Sequence, residues 1–304
     1  MGPDLADLQR IADDAGFGLE ASELGAVGAL IEQGGPPPAE LLGAAPDAAD
    51  AEGRGAARAA AGEAPLNAWA QRLEIPGAGS GPLAGRSLAV KDCIAVAGVP
   101  LGAGTSILRD FAPAADATVV RRALEAGAGV SGTASCEALT MSGGSHTGAA
   151  GPVRNPYDES RTPGGSSTGC AALLASGAVD LALGTDVAGS VRIPAAWSGL
   201  SALKPTYGLV PCTGIFPAAP SLDHVGPMAR TVADAAVLLA AMADAPDPAP
   251  VVPRPGPRPL AGLRIAVTDR PARFEIEDDV LDGFAAAREA CLALGAEVVD
   301  LPPG

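Results

Sequence analysis

Between Thr162 and Pro194 the chain places two serine-bearing turns flanked by glycine: Pro163-Gly164-Gly165-Ser166-Ser167-Thr168-Gly169 and Gly184-Thr185-Asp186-Val187-Ala188-Gly189-Ser190. Glycine lacks a Cβ, so the backbone there can turn tightly and present its N–H groups outward. Serine hydroxyls on such turns become nucleophiles once a base removes a proton. The residue placed upstream for that task is Lys91, where the apolar run Leu88-Ala89-Val90 ends in a charge. Two serines and one lysine are the raw material of a Ser-Lys acyl-transfer site.

Each part also has a plainer reading. A lysine after a strand is ordinarily a solvated edge charge, and it serves as a base only where burial favours the neutral amine. The second turn supplies the other component such chemistry needs. Backbone N–H groups of Val187, Ala188, Gly189 and Ser190, presented by a strand-to-helix turn, can converge on the oxyanion of a tetrahedral intermediate. The same turn also reads as an anion nest, and Arg192 lies close enough to assist a carboxylate or phosphate.

Three further patterns compete. Gly127-Ala128-Gly129-Val130-Ser131-Gly132 matches the dinucleotide fingerprint, but it follows a helical pattern and leads into a strand, the reverse of the required order. Gly165-Ser166-Ser167-Thr168-Gly169 matches a nucleophile elbow centred on Ser167, with Asp180 or Asp186 and then His224 in the expected order. The polar, proline-ended segment 159–163 is a poor strand to precede it. Asp223-His224 suggests a metal pair, yet His146 and His224 are the two histidines and neither has zinc-ligand spacing, so no metal is expected.

A net charge of −15 argues against a nucleic-acid or anionic-membrane surface, which needs stripes of Lys and Arg. Five dispersed cysteines without a C-x-x-C pair read as reduced thiols in the cytoplasm. The acidic N-terminus is not expected to be a signal peptide, and the longest apolar stretches, such as 235–243, are too short to cross a bilayer.

The periodicity predicts a small N-terminal helical hairpin, from Leu5, Leu8, Ile11 and Ala12 and from Ser22–Gln33, within a helical segment 1–65. A core over 66–304 then alternates strands at Ser87–Lys91, Gly129–Thr133 and Asp180–Gly184 with helices at Asp116–Ala126, Ser167–Ser176 and Thr231–Met242. Glu137–Met141 reads as a further helical turn. After a Pro-rich loop at 244–259 comes a strand–helix–strand unit at Leu263–Val267, Val280–Leu294 and Glu297–Leu301. This alternation predicts an α/β fold with helices packed on a central sheet.

These residues resemble the amidase signature family of serine hydrolases. The first turn is similar to the family's G-G-S-S-G-G-S element. The second, continued through Val191-Arg192-Ile193-Pro194-Ala195-Ala196 to Leu203-Lys204-Pro205-Thr206, is similar to its G-T-D-x-G-G-S-[IV]-R-x-P-A-A … L-K-P-T core. The segment Ser221–Val232 is similar to its S-L-D-x-x-G-P-M-x-R-T-V element, so the likeness runs from about Gly81 to Ala243. The resemblance implies a mixed central sheet covered by helices, Lys91 as general base, Ser166 as a bridging serine after a cis peptide bond, and Ser190 as nucleophile. It implies hydrolysis of a small-molecule carboxylic acid amide to the acid and ammonia or amine through an acyl-enzyme, with no metal or organic cofactor. A homodimer is the assembly allowed for.

Within the family, the helical N-terminus, Arg154-Asn155-Pro156 and Tyr207–Gly214 look most like the nitrile-pathway amidases. The A-type subunit of the tRNA-dependent amidotransferases is also similar, but it commonly carries Gln where this chain has Ile193. Thr168 and Cys170 replace small residues of the first turn, and Ala188 replaces a glycine, which is tolerable where φ is negative. Family members continue well past residue 304, so the fold is expected to be truncated at its C-terminus. An alternative expectation is therefore a truncated, catalytically impaired amidase-like protein.

Overall fold

The structure is a computed structural model of the 304-residue chain. It describes residues 65–108, 110–244, 259–267 and 276–301, together with 6, 8–10, 20–22, 24 and 25. Most of the expected N-terminal hairpin lies outside the described residues, although Leu8 and Leu24 form a small buried cluster of their own. The chain divides into two compact units, 1–253 and 254–304, with the division falling in the Pro-rich stretch.

The first unit is built on a six-stranded mixed sheet. Its strands are β1 (Trp69–Ile75), β2 (Ser87–Lys91), β3 (Gly129–Ala134), β4 (Leu181–Asp186), β5 (Ser201–Ala202) and β6 (His224–Ala229), in the spatial order β1-β3-β2-β4-β6-β5. The three central strands β3, β2 and β4 run parallel, while β1, β6 and β5 pair antiparallel with their neighbours.

Helices cover both faces. Leu88, Val90, Leu181 and Leu183 join one core with Val119 and Val120 of α1 (Thr118–Glu125) and with Leu238 and Met242 of α2 (Val232–Met242). The alternate residues Ala89 and Ala182 join a second core with Leu173 and Leu174 of α3 (Thr168–Ala175) and with Ala195 of α4 (Arg192–Trp197). A strand buried on both faces needs apolar residues at successive positions, which is why β2 and β4 are apolar runs rather than alternating patterns.

Local chemistry sets the helix ends. Thr231 caps α2 by accepting from the Asp234 N–H at 3.1 Å. Asp116 does not cap α1; its carboxylate accepts the Ala97 N–H at 2.8 Å, and the helix starts two residues later. The turn expected at 137–141 is a short 3-10 turn, Ala138–Thr140. Among the described residues no helix is long and apolar enough to cross a membrane.

The second unit pairs β7 (Arg264–Val267) and β8 (Glu297–Asp300) in parallel, joined by α5 (Asp278–Ala293). It is the strand–helix–strand arrangement that the sequence predicts for this segment.

Candidate active site

The central parallel strands end at one edge of the sheet, and loops leaving such an edge are where α/β sheets place their chemistry. β2 delivers Lys91 there, β4 delivers Thr185 and Asp186, and the two glycine–serine turns close over them. Lys91 is completely buried. Its Nζ hydrogen-bonds Ser166 Oγ at 2.8 Å, Thr185 Oγ1 at 2.7 Å and the Thr185 carbonyl at 3.3 Å. The lysine is therefore not the solvated edge charge that an isolated reading gives.

Ser166 is also fully buried and follows a cis peptide bond from Gly165. Gly165 is fixed by crowding: a Cβ there would collide with the Gly144 carbonyl oxygen and sit 2.9 Å from that of Ser142. Ser167 binds the two turns together, because its N–H donates to the Ser190 carbonyl at 3.2 Å. Ser190 is partly exposed.

Asp186 organises the second turn. Its buried carboxylate accepts from the N–H groups of Gly189 at 2.8 Å and Val191 at 3.2 Å, and from Arg192 Nε at 3.0 Å and Nη2 at 2.9 Å. Burial alone would raise this carboxyl. The hydrogen bonds from Arg192, Val191 and Gly189 outweigh it and hold the group below the usual carboxylate range. Arg192 is thereby committed to Asp186, which weakens the reading of this turn as a nest with a spare arginine.

The four N–H groups expected to converge on an oxyanion are not equivalent. That of Gly189 is taken by Asp186, whereas those of Val187, Ala188 and Ser190 make no hydrogen bond among the described residues. Gly189 contributes the turn instead, at a φ of 131° that a side chain would resist. Ala188 is not among the positive-φ residues, so its methyl group is tolerated. The other two departures in sequence find partners: Thr168 Oγ1 donates to the Ser135 carbonyl at 3.0 Å, and the Cys170 thiol to the Leu183 carbonyl at 3.5 Å. Burial pushes the Cys170 thiol up to about 12, which leaves it protonated and inert.

The competing constellations are not assembled. Ser167 Oγ donates to the Thr185 carbonyl at 3.4 Å. Asp180 sits at the opposite end of β4, about 16 Å away at strand rise, bonded to Ser87 and Arg230. His224 lies opposite Asp186 in the β4–β6 register, but both of its ring nitrogens are taken by other groups: Lys204 Nζ donates to Nε2 at 3.2 Å, which leaves Nδ1–H to donate to the Leu222 carbonyl at 2.7 Å. Asp223 accepts the N–H groups of Ala218 and Ala219, and no metal-binding group of three His, Cys, Asp or Glu exists among the described residues. The Gly127–Gly132 segment joins α1 to β3, the helix-then-strand order that excludes a dinucleotide turn.

Thr185 is the participant that sequence reasoning passes over. Its signal was a hydroxyl inside the strand Leu181–Asp186, every residue of which is buried, and a polar group in such a place must be bonded.

A chain with this sheet and these turns has known relatives. An enantioselective amidase of Rhodococcus rhodochrous is 44% identical over 258 residues, covering 80% of this chain and 49% of that protein. The crystal structure of the A-type subunit of a glutamyl-tRNA(Gln) amidotransferase from Thermotoga maritima matches with a TM-score of 0.66 at 36% identity, over 73% of this chain and 51% of that one. A native peptide amidase from Stenotrophomonas maltophilia matches with a TM-score of 0.65, also at 36% identity, over 73% and 48%. The chain thus spans about half the length of the curated relatives it matches. The amidase family model matches residues 49–304, and with the mixed sheet shared by the solved relatives this establishes that the chain belongs to the amidase family.

Proposed function

We propose that the chain carries the hydrolytic centre of an amidase, with Lys91 as general base, Ser166 as proton relay and Ser190 as nucleophile. The observation that carries this reading is the 2.8 Å hydrogen bond between Lys91 Nζ and Ser166 Oγ, both groups fully buried. In the neutral amine form, Lys91 accepts the Ser166 proton while Ser166 accepts that of Ser190. The Ser190 oxygen then attacks the carbonyl carbon of a small-molecule amide. The developing oxyanion meets the N–H groups of Val187, Ala188 and Ser190, a kind of donor worth roughly 10²–10³ in rate. The proton returns through Ser166 to the leaving nitrogen, ammonia or an amine departs, and water attacks the acyl-Ser190 ester to release the acid. The scheme calls for no metal and no organic cofactor.

The bonded environments of Thr168 and Cys170 favour an intact centre over an impaired one. We keep 1–65 as a segment preceding a catalytic core at 66–304, a cytoplasmic location, no nucleic-acid or membrane partner, and a homodimer as the simplest assembly. A second reading, an amidotransferase A-type subunit working with partner subunits, draws on the likeness to the Thermotoga maritima protein. Ile193, in place of that subunit's usual Gln, favours the free-standing amidase.

The test is labelling of the purified chain with a fluorophosphonate probe. Wild type is expected to label and Ser190→Ala to lose labelling by at least about a hundredfold. Labelling that survives in Ser190→Ala would sink the assignment.

A further inference from the structure

We propose that Thr185 is a positioning residue that aims the lone pair of Lys91 at Ser166, an inference that rests on the proposed Lys91–Ser166–Ser190 relay. Neutral lysine has two N–H donors and one lone pair. Both acceptors for those donors come from a single residue, the Thr185 hydroxyl at 2.7 Å and the Thr185 carbonyl at 3.3 Å. The remaining direction at Nζ is the one occupied by Ser166 Oγ at 2.8 Å. With both hydrogens spoken for by Thr185, what faces Ser166 is the orbital that can accept its proton.

The surroundings reinforce this division. Thr185 is 6% exposed and Lys91 0%, so water does not compete for the amine. Cys93 Sγ lies 3.5 Å from Thr185 Oγ1 and gives the hydroxyl a second, weak partner. Burial raises that thiol, so it stays neutral and does not draw the amine towards an anion. The carbonyl of Thr185 is shared with the Ser167 hydroxyl, and the side-chain oxygen is therefore the acceptor that belongs to Lys91.

Thr185→Val keeps the shape and the carbonyl but removes the hydroxyl. One Lys91 N–H is then free to turn onto Ser166 Oγ, so that the amine presents a donor where the relay needs an acceptor. Fluorophosphonate labelling of the 304-residue chain, analysed as a saturating rate and a half-saturation concentration, reads this directly. The saturating rate is expected to fall about 10- to 100-fold in Thr185→Val with half-saturation unchanged, a part of the range for general-base catalysis. Thr185→Ser restores the hydroxyl and should recover the rate to within about threefold, a rescue that a role in packing alone does not give. Thermal melting of each variant confirms that folded protein is compared, and Thr185→Ala takes the place of a Val variant that melts early. Thr185→Val labelling at the wild-type rate overturns the inference while leaving the relay standing. Lys91→Ala labelling at the wild-type rate, or a wild type that does not label, instead overturns the relay itself.

Discussion

Asp186 shows how one buried charge can be made to hold a loop. It has no solvent, yet three backbone N–H groups, those of Gly189, Val191 and Arg192, and both ends of the Arg192 fork converge on it. Removing one partner of a buried charged cluster costs several kcal/mol because the others lose their acceptor. Asp186→Asn is therefore expected to destabilise the fold by about 3 kcal/mol. The pH dependence has a definite sign. Because the folded carboxyl is held low, its contribution is complete above the ordinary value of about 3.9 and is lost as pH falls through the lowered one. The gap in Tm between wild type and Asp186→Asn should stay constant from pH 8 to about pH 5 and narrow below about pH 4. A gap that widens on acidification contradicts this account. At this scale much of the site was legible, since Lys91, Ser166 and Ser190 are each marked by the chemistry of their own turn or strand end. What a linear reading lacks is the partner of each polar atom. Thr185 reaches Lys91 across 94 positions, only because β2 and β4 lie side by side. Likewise, nothing in the order of residues says that the Gly189 N–H turns to Asp186.

Secondary-structure elements were legible where burial and periodicity agree. β2, β3, β4, α1, α2, α3 and the whole of the second unit follow the expected segments to within a few residues. β1 and β6 escaped for identifiable reasons. Residues 69–75 lie between the expected helical segment and the first expected strand at Ser87, just before the Gly/Pro-rich stretch 76–85, although their burial does alternate along part of the strand. β6 contains Gly226 and Pro227, which ordinarily argue against an internal strand. Pro227 is accommodated because it takes part through its carbonyl, which accepts the Leu203 N–H at 3.2 Å as β5 parts from the sheet. The same close packing separates two glycines within helices. A Cβ on Gly169 of α3 would collide with the Ala68 carbonyl oxygen and lie 2.6 Å from the Ser135 nitrogen, whereas one on Gly283 of α5 meets nothing within 4 Å. Gly169→Ala must push α3 off the sheet, and overpacking of this kind costs about 1–3 kcal/mol or more. Gly283→Ala should stabilise its helix by about 0.5–1 kcal/mol through propensity alone. Urea unfolding of the two variants checks both, and equal shifts in the same direction refute the packing argument.

Across the molecule, burial is distributed unevenly, and with it the resistance to opening. Every residue of β4, and Leu88–Lys91 of β2, is buried between helices on two faces. In the second unit α5 has no buried residue, and Val280, Leu281 and Phe284 are 60%, 43% and 49% exposed. Burying one such side chain is worth about 1.5–3 kcal/mol, so α5 forgoes most of what holds a helix in a folded protein. Local opening follows the number of buried apolar contacts. In hydrogen exchange followed by mass spectrometry, peptides from β2 and β4 should therefore exchange only with global unfolding. Peptides from α5 should exchange at least about 10³ times faster, the ratio for an opening cheaper by about 4 kcal/mol. Protection of α5 equal to that of β4 would show that the second unit is buried against something that its exposure does not reveal. The proposed relay predicts which side of this divide matters for chemistry: Lys91 and Thr185 lie on the slow strands, and Ser166 and Ser190 on turns tied to them by Ser167 and Asp186. Denaturant just sufficient to expose the α5 amides should accordingly leave fluorophosphonate labelling unchanged, and labelling lost in step with α5 protection would place the second unit within the machinery.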